Sequence, residues 1–115
     1  MKIKELQKEF ERKGIKYAQL VRNLYDVTNI DGEIKKEGYL IYKCEDIDNG
    51  YSYYEVFRYR LTPQHPYSNE DYDMIESYPS DELFGTYAWC CSNVDIVKKV
   101  MKKHFDIDFD VEKLK

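Results

Sequence analysis

Apolar residues recur at helical spacing near the start of the chain. Ile3, Leu6 and Phe10 are three and four positions apart among Lys and Glu residues, and Gly14 follows them. This spacing places apolar side chains on one face of a helix, and glycine is common just past a helix end. The pattern therefore predicts a short amphipathic helix over residues 3–13.

A second helical pattern lies towards the end of the chain. Ser92 and Asp95 are three positions apart, which resembles a capping box with a shortened acid. The apolar residues at helical spacing after this cap are Val94, Val97, Val100 and Met101. Lysines follow, where positive charge complements the helix dipole. We expect a helix of about 13 residues here.

Residues 17–27 fit two patterns. The residues that would share a helix face are Tyr17, Leu20, Val21 and Leu24. The residues that alternate as in a strand are Val21, Asn23, Tyr25 and Val27. We favour the strand, and the Asp31-Gly32 pair after it predicts a turn.

The clearest strand signal is a hairpin around the Asn49-Gly50 pair. This pair separates two runs rich in aromatic and β-branched residues, Tyr39–Lys43 and Tyr51–Leu61. Asn and Gly both tolerate the positive φ of a type I′ turn. The second run carries large side chains at both odd and even positions, so the pattern leaves open which face is buried.

The rest of the chain alternates loops with short elements. Residues 62–77 have no periodicity and predict an exposed connection that is longer than the usual loop. Ser80 is placed to cap one helical turn through Leu83, and Thr86–Cys91 is typical of a buried strand. The alternation over residues 107–111 predicts either a short strand or a tail docked by its apolar side.

These elements predict one compact domain over residues 1–115 with an α+β fold. We expect a three- to four-stranded, largely antiparallel sheet, with the C-terminal helix packed on one face and the short N-terminal helix alongside. A chain of 115 residues and 13.9 kDa has the size of a domain with a single core.

Composition excludes several classes of protein. The chain is 43% apolar and 35% charged, which is typical of an ordered globule. No apolar run approaches the roughly 18 residues of a membrane span, and no signal-peptide pattern opens the sequence. We therefore expect a cytoplasmic protein. Its three cysteines, Cys44, Cys90 and Cys91, are predicted to be reduced thiols.

Charge is unevenly distributed along the chain. The formal net charge is −4, and residues 61–97 contain seven Asp or Glu and no Lys or Arg. This stretch predicts a local negative potential, with a solvated acidic loop as the alternative interpretation. Without a basic stripe, direct binding of nucleic acid is not expected.

Candidate catalytic and metal-binding residues are few. Neither His65 nor His104 stands in a motif that would activate a cysteine. The cysteines and histidines lack zinc-site spacing, and the acidic runs lack the pattern of an EF-hand loop. We therefore predict no catalytic residue, no metal and no cofactor.

One stretch resembles a known group of proteins. Residues 78–89 read Tyr-Pro-Ser-Asp-Glu-Leu-Phe-Gly-Thr-Tyr-Ala-Trp, with Tyr-Glu-Val-Phe-Arg before them and a predicted helix after them. The combination resembles small uncharacterised proteins of bacteriophages and mobile elements, although Cys90 and Cys91 stand where a Thr often follows the Trp. The resemblance implies a phage-type origin and a compact α+β domain, and it implies no catalytic residue.

We predict a non-catalytic accessory protein that binds a macromolecular partner. Tyrosine is frequent in the chain and is enriched at protein interfaces, although half-buried sheet positions would also explain it. The predicted binding surface is acidic and Tyr-rich and consists of Tyr67, Glu70, Asp71, Tyr72, Asp73 and Glu76. A protein with a basic surface would be attracted to it, and in a phage setting binding would inhibit a host nucleic-acid-handling or defence factor.

Two alternatives stay open. The first is a small enzyme or ligand-binding domain with a pocket on a sheet face, built from Tyr54, Arg58, Cys90 or His104. The second is a structural phage component or homo-oligomer that assembles by pairing sheet edges.

Overall fold

Strands are the main secondary structure of the protein. The structure is a computed structural model that describes residues 2–64 and 71–114. The strands are β1 (Ile3–Lys4), β2 (Glu9–Arg12), β3 (Ile15–Thr28), β4 (Ile34–Asp46), β5 (Ser52–Arg58), β6 (Leu61–Pro63), β7 (Met74–Glu76) and β8 (Ala88–Cys91). The helices are α1 (Val94–Phe105) and two 3-10 helices, Asp81–Leu83 and Val111–Leu114. The predicted α+β fold with one small sheet is therefore wrong, because the fold is mostly β and has two sheets.

Five strands form a large antiparallel sheet in the order β2-β3-β4-β5-β8. β4 is its central strand, and residues 38–42 are all buried. Side chains alternate between the two faces of a strand, so a continuous buried run requires cover on both faces. The large sheet is accordingly packed on both sides.

The helix α1 covers one face of the large sheet. The buried residues on this side are Tyr39, Ile41, Val56, Cys91, Val97, Met101, Phe109 and Leu114. Phe109 and Leu114 belong to the segment that follows α1. This tail forms no strand among its described residues and packs its apolar side chains against the core. Of the two arrangements predicted for residues 107–111, the docked tail is therefore the one observed.

Aromatic rings fill the opposite face. The buried residues there are Tyr17, Leu40, Tyr42, Cys44, Phe57 and Ala88. The Tyr42 ring stacks on Phe57 with 5.7 Å between centroids and meets the Tyr78 ring edge-on at 5.2 Å. Several tyrosines are therefore core residues.

The remaining strands form a small sheet in the order β1-β7-β6. β1 runs parallel to β7 with Ile3 opposite Met74, and β6 runs antiparallel to β7. β6 and β7 lie mainly within residues 62–77, so the prediction of an exposed connection is wrong at both of its ends. Its middle, residues 65–70, lies outside the described residues.

The predicted helix over residues 3–13 is absent, because these residues form β1 and β2. Phe10 of β2 stacks on Tyr17 of β3, with 4.6 Å between ring centroids. Lys13 and Gly14 both have positive φ, 53° and 78°, and form the tight turn between these strands. An isolated helix of this length is marginal in water, so pairing with the long β3 overrides the helical spacing.

A β-bulge explains the ambiguous pattern of β3, where the favoured strand is confirmed. Gln19 and Val21 pair with consecutive residues of β4, which leaves Leu20 as the extra residue. An extra residue reverses the alternation of faces. Tyr17 and Leu24 consequently both lie on the aromatic face, although residues seven positions apart in a regular strand would lie on opposite faces. A separation of seven residues is also about two turns of a helix, so the spacing mimics a helix.

The predicted hairpin between β4 and β5 is confirmed, but its turn is not of the predicted type. Gly50 has a φ of 72°, whereas Asn49 is not among the residues with positive φ. The loop covers residues 47–51, and the Asp46 carboxylate accepts the backbone N–H of Asp48 at 3.0 Å. A longer loop closed by an aspartate replaces the two-residue type I′ turn.

Two predicted helix caps differ in detail. The C-terminal helix is confirmed, but its N-cap is Asn93, not Ser92, and the Asn93 side chain accepts the N–H of Ile96 at 3.0 Å. The helical turn over Asp81–Leu83 is present, but the Ser80 hydroxyl forms no capping hydrogen bond.

Candidate partner-binding site

The β3–β4 hairpin extends beyond the rest of the large sheet. We call residues 23–38 the arm. β5 pairs with β4 only from Tyr39 onwards, and none of residues 23–37 is buried. Ile30 is 102% exposed and Ile34 is 72% exposed. The arm therefore presents large apolar side chains to water.

Asn29 fixes the turn at the tip of the arm. Its side-chain oxygen accepts the backbone N–H groups of Asp31 and Glu33 at 3.0 and 2.9 Å. The N–H of Gly32 donates to the Asn29 carbonyl at 3.0 Å, and Gly32 has a φ of 83°, which glycine adopts at little cost. Ile30 is thus held on an ordered turn.

Gly38 marks the point where the arm leaves the sheet. It has a φ of 143°, and a Cβ atom at this position would lie 2.0 Å from the carbonyl oxygen of Asn23. A glycine is required where two backbones approach so closely. The Gly38 carbonyl accepts the N–H of Tyr59 at 2.9 Å, which continues the ladder of β4 and β5 by one residue.

Beyond Gly38, one edge of β4 has no strand beside it in the described part of the chain. Successive residues of an antiparallel strand direct their backbone groups to opposite sides. Because the Gly38 carbonyl points to the side of β5, the backbone groups of Lys36 and Ile34 point to that side too. β5 has ended there, and β6 pairs in the small sheet instead. We call the backbone N–H and C=O groups of Ile34 and Lys36 the open edge.

Two clefts border the open edge. The larger has a volume of about 650 Å³, and its apolar lining residues are Ile3, Ile34, Tyr59, Leu61, Met74 and Tyr87. The smaller has a volume of about 150 Å³, and its lining residues include Tyr25, Glu37 and Gly38. Lys35, Lys36, Tyr59 and Tyr87 line both clefts. Asp26 lines only the larger cleft, whereas Tyr25 and Glu37 line only the smaller, and these residues lie on opposite faces of the arm.

Lys35 and Arg60 bring positive charge to the larger cleft. Lys36 lies 3.4 Å from Asp26, but Lys35 and Arg60 form no ion pair with any described residue. Exposed ion pairs contribute little to affinity, but they select between partners and between registers. An incoming acidic side chain would complement these two cations.

The acidic surface predicted from the sequence is partly compensated by lysines of β1 and its flank. Nζ of Lys2 lies 3.7 Å from Asp71, and the backbone N–H of Lys2 donates to the Asp73 carboxylate at 2.7 Å. The ammonium groups of Lys2 and Lys4 lie 5.2 and 6.0 Å from the centre of the Tyr72 ring. The fold thus brings positive charge to a stretch that has none in sequence.

Glu76 is not part of an exposed surface. Its side chain is 2% exposed and accepts two hydrogen bonds from Arg22, with Nη1 at 2.7 Å from Oε1. The backbone N–H of Leu6 donates to the same oxygen at 2.9 Å. Glu76 therefore ties the small sheet to the large one. Tyr67 and Glu70, the other predicted surface residues, lie outside the described residues.

The surroundings of Glu76 stabilise its charged form. Burial acts to raise its pKa, but hydrogen bonds from Arg22, Leu6 and Tyr59, together with the charge of Arg22, lower the pKa below its usual value. Burial and the hydrogen bond to Glu76 raise the pKa of Tyr59. The carboxylate thus remains ionised near neutral pH.

The residues predicted for the alternative pocket lie on both faces of the large sheet. Tyr54 packs against the core on the α1 side. On that side Nη2 of Arg58 donates to the His104 carbonyl at 2.7 Å, and the His104 ring stacks on Trp89 with 4.1 Å between centroids. Desolvation, Lys103 and Arg58 lower the pKa of His104. Cys90 lies on the opposite face, so the predicted residues do not converge.

A buried carboxylate that the sequence analysis did not single out lies on that opposite face. Glu55 accepts the Tyr78 hydroxyl at 2.6 Å and contacts Sγ of Cys44 at 3.5 Å, and Cys90 is its neighbour on β8. Burial and the charge of Glu55 raise the pKa of Tyr78 and of both thiols. Burial, Cys90 and Glu55 raise the pKa of Cys91 to about 12. Protonated thiols are poor nucleophiles, so this cluster does not favour cysteine catalysis.

The described residues offer neither a cluster of metal ligands nor a helix that could span a membrane. Within residues 2–64 and 71–114, no three His, Cys, Asp or Glu side chains come together in a group that could hold a metal ion. None of the described helices has the length and apolar character needed to cross a membrane.

No protein-family model, curated protein or solved structure matches the chain. The resemblance to phage and mobile-element proteins therefore stays a prediction.

Sequence reasoning did not single out the arm as a candidate site. Its signal was present, because Ile30 and Ile34 flank the Asp31-Gly32 turn, where polar residues are the usual choice. The pattern did not show that β5 would end before it reached Ile34. The open edge depends on that difference in strand length.

Proposed function

We propose that the protein is a non-catalytic binding protein that holds a protein partner by strand addition at the open edge of β4. The observation that supports this function is the position of the open edge between two clefts. Edge groups that lack a strand partner are a ready template for an extended polypeptide.

The chemistry of the site fits a polypeptide. Alternate side chains of an added strand would enter the two clefts, as in other cases of strand addition. The larger cleft offers apolar walls from Leu61, Met74 and Ile34, while Lys35 and Arg60 offer charge to an acidic residue. The acidic surface contributes less to the proposal, because lysines compensate it and Glu76 is buried.

A photo-crosslinking residue at position 34 tests the proposal, with position 43 as the matched control. Both positions lie in β4 and are exposed, but Lys43 is flanked by paired strands on both sides. Illumination of cells that produce each variant should give protein adducts from position 34 and none from position 43. Equal adducts from both positions, or none from either, would contradict the proposal.

A proline substitution tests the role of the backbone. Lys36→Pro removes an N–H group that points away from β3, so the arm should remain folded, as proline is tolerated on open strand edges. We expect the adducts from position 34 to be lost while the circular dichroism spectrum is unchanged. Adducts that persist in the folded Lys36→Pro variant would show that strand addition is not the mode of binding.

A further inference from the structure

We propose that the partner is a second copy of this chain, bound through antiparallel pairing of the two open edges around a two-fold axis. This inference rests on the proposed function and names its partner. A two-fold interface places the same residues on both sides, so residue i of one copy faces residue j of the other and the reverse. The residues of the open edge in one copy can therefore be compared with the residues that would face them in a second copy.

One register makes the arm complementary to itself. When Ile34 of one copy lies opposite Ile34 of the other, Glu33 of each copy lies opposite Lys35 of its mate. Both cross-strand pairs then combine opposite charges, and an exposed isoleucine is buried against its equivalent. The register also brings together backbone groups of the open edge, because Ile34 directs its N–H and C=O outwards.

The neighbouring registers are unfavourable. Centring on Lys35 places the two Lys35 side chains opposite each other and places Glu33 opposite Glu37. Like charges that face each other across a ladder are destabilising. Centring on Lys36 would require Ile34 to pair with Gly38, whose carbonyl already accepts the N–H of Tyr59. Charge and backbone pairing therefore select the register centred on Ile34.

The same register brings the tip of each arm to the other copy's larger cleft. Gly32 of one copy falls opposite Lys36 of the other, so the turn that follows lies beside Tyr59. Ile30, which is 102% exposed in the single chain, then faces a cleft with apolar walls. Asp31 lies in the turn beyond the paired residues, on the side of Arg60, which forms no ion pair with a described residue.

The ordered turn favours such an interface. The hydrogen bonds of Asn29 to Asp31 and Glu33 fix the tip before any partner arrives. A contact that is already ordered loses less conformational entropy on association. One arrangement thus accounts for the open edge, for both exposed isoleucines and for the two cations that form no ion pair within the described part of the chain.

A charge-swap experiment tests the inference on the full chain. Sedimentation equilibrium from micromolar to millimolar concentration should show the wild type associating to twice 13.9 kDa. Glu33→Lys and Lys35→Glu should each weaken the dimer about tenfold, because each creates like-charge pairs at two symmetric positions. The double variant, Glu33→Lys with Lys35→Glu, restores opposite charges and should recover dimerisation.

The outcomes separate this inference from the proposed function. A wild type that stays monomeric at every concentration, single reversals without effect, or a double variant without recovery would each overturn the second-copy inference. If adducts from position 34 then contain a different protein and are lost in Lys36→Pro, the proposed function stands. If position 34 gives no adducts at all, both fail.

Discussion

The inner and outer halves of the β3–β4 hairpin share two strands and one hydrogen-bonded ladder, but their surroundings differ. In the inner half, residues 39–42 of β4 are at most 2% exposed and are covered on both faces. In the outer half, the arm, Ile34 of the same strand is 72% exposed. Apart from the bulge at Leu20 in the inner half, the strands are paired residue by residue in both halves, so burial is the main difference between them.

The difference indicates that Ile30 and Ile34 of the arm contribute little to the stability of the single chain. A two-stranded ribbon is only marginally stable in water, and here the buried inner half supports it. Residues that contribute little to folding but are large, apolar and exposed are typical of contact surfaces. Substitutions in the two halves should therefore have opposite effects on stability and on binding.

The sharpest test of this comparison replaces the same residue type in both halves of β4. Ile41→Ala should lower the free energy of unfolding by about 2–5 kcal/mol, because it opens a cavity in a core covered on both faces. Ile34→Ala should change it by less than about 0.5 kcal/mol. Urea unfolding at low protein concentration measures both, and a similar loss in the two variants would contradict the comparison.

The second test concerns the ion pair that fastens the small sheet to the inner half. Glu76→Gln should lower the free energy of unfolding at neutral pH by about 2–3 kcal/mol, because it leaves the Arg22 guanidinium without its charged partner. Asp71→Asn is the control, since the Asp71 side chain is fully exposed and should change stability little.

The pH dependence of the same variant follows from the lowered pKa of Glu76. The stabilising contribution of this carboxylate is present above the pKa of an unfolded glutamate, 4.5, and is lost as the pH falls through the lowered folded-state pKa. The wild type should therefore lose its advantage over Glu76→Gln as the pH drops below 4.5. A constant difference down to the acid transition would show that the charge of Glu76 is not what stabilises the protein.

The third test addresses the junction between the halves. Gly38→Ala places a Cβ atom against the carbonyl of Asn23 and imposes a strained φ, so it should cost about 1–3 kcal/mol. Gly32→Ala also strains a positive φ but meets no atom within 4 Å, so it should cost less. Equal costs would mean that close backbone contact at the junction is unimportant.

The smallest expected effect lies at the tip. Asn29→Ala removes three exposed hydrogen bonds, two accepted by the side-chain oxygen and one donated to the Glu33 carboxylate, and should lower the free energy of unfolding by at most about 1 kcal/mol. Its main effect should be local, with faster amide exchange of Asp31 and Glu33 and unchanged exchange of residues 39–42. Faster exchange in the inner half as well would show that the two halves open together.

Local signals made part of the fold predictable from the sequence. The apolar spacing after Ser92 located α1, and the Asn49-Gly50 pair located the β4–β5 hairpin, because both depend on residues close in the chain. The segment around Phe10 was predicted wrongly, since its structure is decided by β3, with which it pairs. Leu20 made the pattern of β3 ambiguous, because a bulge cannot be distinguished from helical spacing without the partner strand.

The site was less predictable than the fold. Glu76 looked like one more member of an acidic stretch, and only the fold places Arg22 beside it, more than fifty positions away. Lys2 likewise approaches Asp71 through the pairing of β1 with β7. Charges that are isolated in sequence were therefore poor guides to an exposed surface. The open edge arises from the unequal lengths of β4 and β5, which no residue of the arm itself reveals.

The pairing of β1 with β7 has a consequence for the order in which the molecule assembles. Strands β2 to β5 follow one another as hairpins and can form from neighbouring parts of the chain, which is fast. The small sheet must instead join Ile3 to Met74, and its fastening joins Leu6 to Glu76 across seventy positions. During synthesis the hairpins can therefore be complete before β7, the strand that pairs with β1, has been made. The aromatic face of the large sheet is then completed only after residues 74–78 have been made, and the opposite face only after α1.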